Sequence, residues 1–212
     1  KTENENTAKK TKTKTTKTIH GIEKQTTKET ADQIQQGIAK EILRFHVLAN
    51  SDSEEDQKLK LEVKDRLVDY MKDILDGAED VKETKKRITE NRETICLVAE
   101  QEIQKQGYTY PVSVNLEKCY FPMKTYGDCT FPAGTYEALR VCIGKAKGRN
   151  WWCVLYPGLC FADSVNVIVP DEKKQELKNI LTEEEYESLF DWREDDYQIR
   201  SGFLRLWRKL FA

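Results

Sequence analysis

Ile42-Leu43-Arg44-Phe45-His46-Val47-Leu48-Ala49 runs directly into Asn50-Ser51-Asp52-Ser53. Leu43, Phe45, Val47 and Ala49 alternate with Arg44, His46 and Leu48, the period of two that marks a half-buried strand with one apolar face. The polar quartet then stops the strand. Asp52 with Glu55 three residues on reads as an acidic capping box, and Leu59, Val63, Leu67, Tyr70, Met71 and Ile74 recur at helical spacing as far as Gly77. A second helix is predicted from Asp80, with Glu83 in its first turn, through Ile88, Ile95, Val98, Ala99 and Ile103 to Gly107. The short linker makes the two helices antiparallel neighbours.

Beyond Gly107 the period returns to two. Val112, Val114 and Leu116 form one strand pattern, Leu139, Val141 and Ile143 another, and Trp151 to Leu155 a third, with Pro122, Gly127, Pro132 and Gly134 punctuating a hairpin-like region between the first two. Thr182 and Glu185 form a capping box ahead of Tyr186, Leu189 and Phe190. The expected fold is α+β: a strand, two antiparallel helices, a mainly antiparallel β region and a helical C-terminal tail.

The 212 residues suit one domain with tails, and Lys plus Arg (35) nearly balance Asp plus Glu (37), which speaks against a nucleic-acid binder. The balance hides a polarity. Residues 1–36 carry +3, 37–170 carry −2, 171–200 carry −6 and 201–212 carry +3. Three regions follow: a basic tether over 1–36, a domain over 37–170, and an acidic helical segment over 171–212 ending in a basic amphipathic helix. Lys1 to Thr18 holds one apolar residue, Ala8, too little to offset chain entropy, so it is expected to be disordered. A weak helical pattern follows it. Phe203, Leu206, Trp207 and Leu210 share a helical face with Arg205, Arg208 and Lys209 off it, a pattern that fits an anionic membrane surface or docking on the protein's own core.

Catalytic templates fail. There is no G-x-S-x-G elbow, H-E-x-x-H helix or Walker loop. Gly144 to Arg149 reads as a solvated turn rather than a phosphate loop, and Asp191, Glu194, Asp195 and Asp196 as a solvated acidic face. With two histidines and no C-x-x-C pair, no metal site or cofactor is expected. His46 is the one plausible base, reaching Cys153 or Ser51 only by an accident of folding, and a hydrogen-bonded strand or interface residue is the simpler reading. Cys153 and Cys160 flank Pro157-Gly158, and a loop wider than a two-residue turn would bring their sulfurs together as a disulfide; two buried free thiols or a redox-active pair are the competing readings. Trp151 and Trp152 must point to opposite faces of their strand, one to the core and one to solvent or a partner.

Four ordered stretches carry a resemblance: Arg44 to Ser53, Phe121-Pro122-Met123-Lys124-Thr125-Tyr126-Gly127, Pro132 to Arg140, and Asn150 to Pro157 with Leu159-Cys160-Phe161. Over about residues 40–163 the chain resembles the stage II sporulation protein R family. The resemblance implies a non-catalytic signalling protein of endospore-forming bacteria, exported from the forespore to the space facing the mother cell. There it would activate a membrane-embedded aspartic protease that processes a mother-cell sigma factor precursor. Family members begin with a hydrophobic export segment, which residues 1–212 do not contain; an oxidising destination would permit the Cys153–Cys160 bridge. The pairing of Cys96, Cys119, Cys129 and Cys142 stays open. Expected partner contacts are Arg44, His46, Asn50 and Asp52, the turn Lys124, Thr125 and Tyr126, and the tryptophans Trp151 and Trp152. The rival reading is a cell-envelope hydrolase using Cys153 or Ser51 with His46.

Overall fold

The computed structural model describes residues 31–161 and 168–190. A helix covering residues 31–41 (α1) leads into strand β1 (Leu43–Leu48), followed by α2 (Glu54–Leu75), α3 (Val81–Glu90) and α4 (Arg92–Lys105). Strands β2 (Val112–Phe121), β3 (Lys124–Tyr126), β4 (Cys129–Phe131), β5 (Gly134–Ile143) and β6 (Asn150–Tyr156) come next. A 3-10 turn (Leu159–Phe161), α5 (Asp171–Ile180) and α6 (Glu183–Ser188) complete the described chain. The α+β expectation holds. The main sheet runs β2-β5-β1-β6, with β3 and β4 pairing separately. β5–β2 and β1–β6 are antiparallel, but β1 lies parallel to β5, with Phe45 opposite Leu139 and His46 opposite Arg140.

Helix boundaries depart from expectation at two places. The cap of α2 is Ser53, whose hydroxyl accepts from the Asp56 amide at 3.2 Å, not Asp52. The single helix expected over 80–107 is two helices broken at Asn91. There the amide and the side chain both turn back to the Arg87 carbonyl, the latter at 2.9 Å, while its Oδ1 accepts from Tyr70 at 3.2 Å. Asp80 does cap α3, accepting from the Glu83 amide at 2.6 Å, and Thr182 with Glu185 forms the complete capping box.

Leu43, Phe45 and Val47 pack with Leu59, Val63, Leu67 and Met71 of α2, Ile95 and Ala99 of α4, and Leu139 and Val141 of β5. The opposite face of β1, expected to be solvated, is also covered: every residue of the strand is buried. A second apolar cluster lies there, joining Ile38 and Ile42 to Phe121, Phe131 and Tyr136 and to Leu177, Leu181 and Leu189. The boundary drawn at 170 therefore does not separate the packing. Period-two alternation reports which residues share a face but not whether a later part of the chain returns to cover it. Residues 1–30 and 191–212, which include the expected tether and the amphipathic 201–212 pattern, lie outside the described residues.

Candidate partner-binding groove

The polar quartet after β1 holds two loops together. Asn50 Oδ1 accepts from the Lys145 amide at 3.0 Å, the Asn50 carbonyl from the Lys147 amide at 3.2 Å and Asp52 Oδ1 from the Arg149 amide at 2.7 Å. Gly144 adopts φ +57°, and Gly148 passes so close that a Cβ there would meet the Ser51 carbonyl oxygen at 2.1 Å. Asp56, buried in the first turn of α2, accepts from Asn50 Nδ2 at 2.8 Å and from Ser51 Oγ at 2.5 Å. Asn50 and Asp52 are thus engaged within the molecule, where they hold the 144–149 turn.

Arg44 is fully buried. Its guanidinium carbon lies 4.6, 5.8, 5.2 and 5.1 Å from the ring centroids of Phe121, Tyr126, Phe131 and Tyr136, an aromatic cage assembled from β2, β3, β4 and β5. Among the described residues one polar contact is made, from Nη2 to the Tyr126 hydroxyl at 3.1 Å, and Nε and Nη1 have no partner. Burial pushes the Tyr126 phenol well above its ordinary range despite the nearby guanidinium.

His46 occupies the same face two residues on. It stacks on Trp152 at 5.0 Å, packs against Phe121 at 5.2 Å, and has neither ring nitrogen hydrogen-bonded among the described residues. Burial, reinforced by the positive charge of Arg140, lowers its pKa to about 4. It is a neutral packed ring at neutral pH, not a hydrogen-bonded strand residue. Neither candidate nucleophile meets it. Cys153 stands opposite Phe45 in the β1–β6 ladder, hence on the other face of the sheet, and the Ser51 hydroxyl is bound to Asp56. The hydrolase arrangement is not formed.

The tryptophans do point apart, but neither is wholly core or wholly solvent. Trp151 meets the Phe45 ring at 5.5 Å and the Lys64 ammonium at 5.1 Å, while Trp152 covers His46 and Phe121. Both are half-buried because β6 is a sheet edge. Beyond that edge lies a groove of about 740 Å³. Trp151, Trp152 and Cys153 of β6 form one side and Leu61, Lys64, Asp65, Val68, Asp69 and Lys72 of α2 another. Thr125, Tyr126 and Gly127 of the small hairpin, Leu159 and Cys160, and Ile168 to Pro170 complete it. Leu61 and Ile168 are exposed there. Of the residues expected to meet a partner, Thr125, Tyr126, Trp151 and Trp152 line this groove. Arg44 lies behind Tyr126, Lys124 starts the hairpin strand, and His46 lies under Trp152. The α2 wall escaped the sequence reading; Leu61, an apolar residue between Lys60 and Glu62, was its only signal.

All six cysteines are thiols in this structure, so the expected Cys153–Cys160 disulfide is not formed in it. The 3-10 turn carries Cys160 back over β6, its Sγ 3.0 Å from the Val154 carbonyl oxygen. Burial and the adjoining Cys153 thiol push the Cys160 pKa well up. Among the described residues no three His, Cys, Asp or Glu side chains gather as metal ligands, and no helix is long and apolar enough to cross a membrane.

The family model described as stage II sporulation protein R matches residues 39–166. The chain belongs to the stage II sporulation protein R family. It is also similar to stage II sporulation protein R of Bacillus subtilis (strain 168), 33% identical over 174 residues, 80% of this chain and 76% of that protein. No solved structure matches it significantly. The span matched by the family contains β1, the cage around Arg44, the loop clamp and every groove residue before Ile168.

Proposed function

We propose that this member of the stage II sporulation protein R family is an exported forespore signal that activates a membrane-embedded aspartic protease by binding it. The protease then processes a mother-cell sigma factor precursor. The chain contributes a surface and no catalytic group. A ligand of this kind acts by binding the active state of the protease more tightly than the inactive one. The observation that carries the reading is the groove beside β6, walled by two of the motifs that mark the family, Phe121 to Gly127 and Asn150 to Cys160. An edge strand beside two half-buried tryptophans offers both backbone pairing and aromatic anchoring to a partner segment. An oxidising compartment would permit a Cys153–Cys160 bridge at one end of this wall.

The test is capture of the family's protease, made in membranes, by the immobilised full chain. Trp152→Ala and Leu61→Glu should each reduce capture at least about tenfold, the usual scale for a central interface residue, with the far-ultraviolet circular dichroism unchanged. Equal capture by both variants would place the contact elsewhere, and no capture by the unaltered chain would remove the reading.

A further inference from the structure

A buried cation is ordinarily paired, because leaving water costs it several kcal/mol. Arg140, partly exposed, has Glu117 at 2.7 Å. Arg44, with no exposed surface at all, has no carboxylate among the described residues. Three of its four aromatic neighbours supply only π-faces, and the fourth, Tyr126, adds one hydrogen bond through a neutral phenol. The fold thus holds a guanidinium in an apolar box with two of its nitrogens unused, immediately behind a groove wall. Tyr126 is that wall: its ring closes the cage over Arg44, and it lines the groove.

The wall is carried by a small element. Tyr126 belongs to a two-stranded hairpin of three residues per strand that pairs with no other strand. Beyond the Arg44–Tyr126 hydrogen bond and the burial of Cys129 and Phe131, its polar ties to other described residues are the Thr130 amide to the Leu189 carbonyl at 2.7 Å, and Asp128 to Lys174 at 2.6 Å and to the Val169 amide at 3.0 Å. Small elements held by few bonds open locally well below the cost of global unfolding.

We propose that Arg44 is the anchor of a carboxylate-binding site, entered from the groove when Tyr126 swings aside, and that its occupant is an Asp or Glu side chain on an extended segment of the partner. The proposal deepens the binding reading and rests on it for the carrier of the carboxylate. Bidentate pairing of a carboxylate with a guanidinium replaces one bond to a neutral acceptor by two to an anionic one and uses a nitrogen now left without a partner. A groove of about 740 Å³, open at its side, accommodates a passing segment and is larger than one terminal residue needs. The aromatic box then excludes water from the pair.

The site is testable without the protease, which separates its failure from failure of the activation reading. The full chain, labelled with nitrogen-15, is titrated with sodium acetate replacing sodium chloride at constant ionic strength, and then with acetyl-glutamate amide against acetyl-glutamine amide. The Arg44 Nε–H signal should shift saturably with acetate and with the glutamate compound only. Tyr126→Phe removes the competing phenol oxygen and should tighten acetate binding by roughly tenfold or more, the scale of one hydrogen bond made by a charged group. Arg44→Met should abolish the response. An Arg44 signal indifferent to acetate in both the unaltered chain and Tyr126→Phe would overturn the proposal, even if Arg44→Met fails to fold. A response equal for the glutamate and glutamine compounds would overturn it as well.

Discussion

His46 is the residue whose protonation the fold opposes. The ring is packed between Trp152 and Phe121 with both nitrogens unpartnered, and Arg140 and Arg44 act against a positive charge more than Glu117 supports it. Its pKa falls from about 6.5 when unfolded to about 4 when folded, so the unfolded chain takes up the proton first. The stability due to the neutral ring is full above pH 6.5 and is lost as pH falls towards 4, by up to about 3 kcal/mol. Urea unfolding from pH 7 to pH 4 should show a steeper loss in the unaltered chain than in His46→Phe, and parallel curves would contradict the assignment. The neighbouring clamp makes a second claim on a single residue. Because a Cβ at Gly148 meets the Ser51 backbone oxygen, Gly148→Ala should cost about 1 to 3 kcal/mol, read as a lower urea midpoint at unchanged slope. The sequence showed that Arg44 and His46 share a strand face. It could not show that this face is interior, since the cage comes from Phe121, Tyr126, Phe131 and Tyr136, contributed by four strands that follow more than 70 residues later.

At the level of elements, strand and helix periods were legible wherever local chemistry decided them. Five of the six apolar patterns became β1, α2, β2, β5 and β6, and the sixth became α3 and α4. Local chemistry with two equivalent solutions was not legible. Asp52 and Ser53 are both good caps, and the choice fell to Ser53 because Asp52 is drawn to the Arg149 amide. Ser53→Ala should therefore cost about 1 kcal/mol while Glu55→Ala leaves the urea midpoint unchanged. A loss at Glu55 equal to that at Ser53 would restore the Asp52 box. Asn91 is a similar case. A helix-compatible sequence continues through it, yet its side-chain NH2 donates to the Arg87 carbonyl and its Oδ1 accepts from Tyr70 on α2, so the break depends on a neighbouring helix.

For the molecule as a whole, the domain extends past the span matched by the family. Leu177, Leu181 and Leu189 are buried in the cluster that also covers the face of Arg44, so a chain ending at residue 170 should lose on the order of 5 kcal/mol, seen as a lower and broader thermal transition. An unchanged transition would show that α5 and α6 are accessory. The grouping of charge along the sequence suggested a separate acidic tail; three leucines at helical and capping positions bring α5 and α6 onto the sheet instead. The groove illustrates the remaining limit, because α2, β6, the small hairpin and the segment around Ile168 meet only in three dimensions. The central claim is that this molecule activates by binding. The most direct measurement adds the purified, oxidised full chain to membranes holding the family's aspartic protease and its sigma factor precursor, and follows precursor cleavage. The account predicts saturable cleavage that depends on both proteins and falls at least about tenfold with Trp152→Ala. Absence of cleavage with folded, oxidised chain, or cleavage that proceeds without the protease, would contradict it.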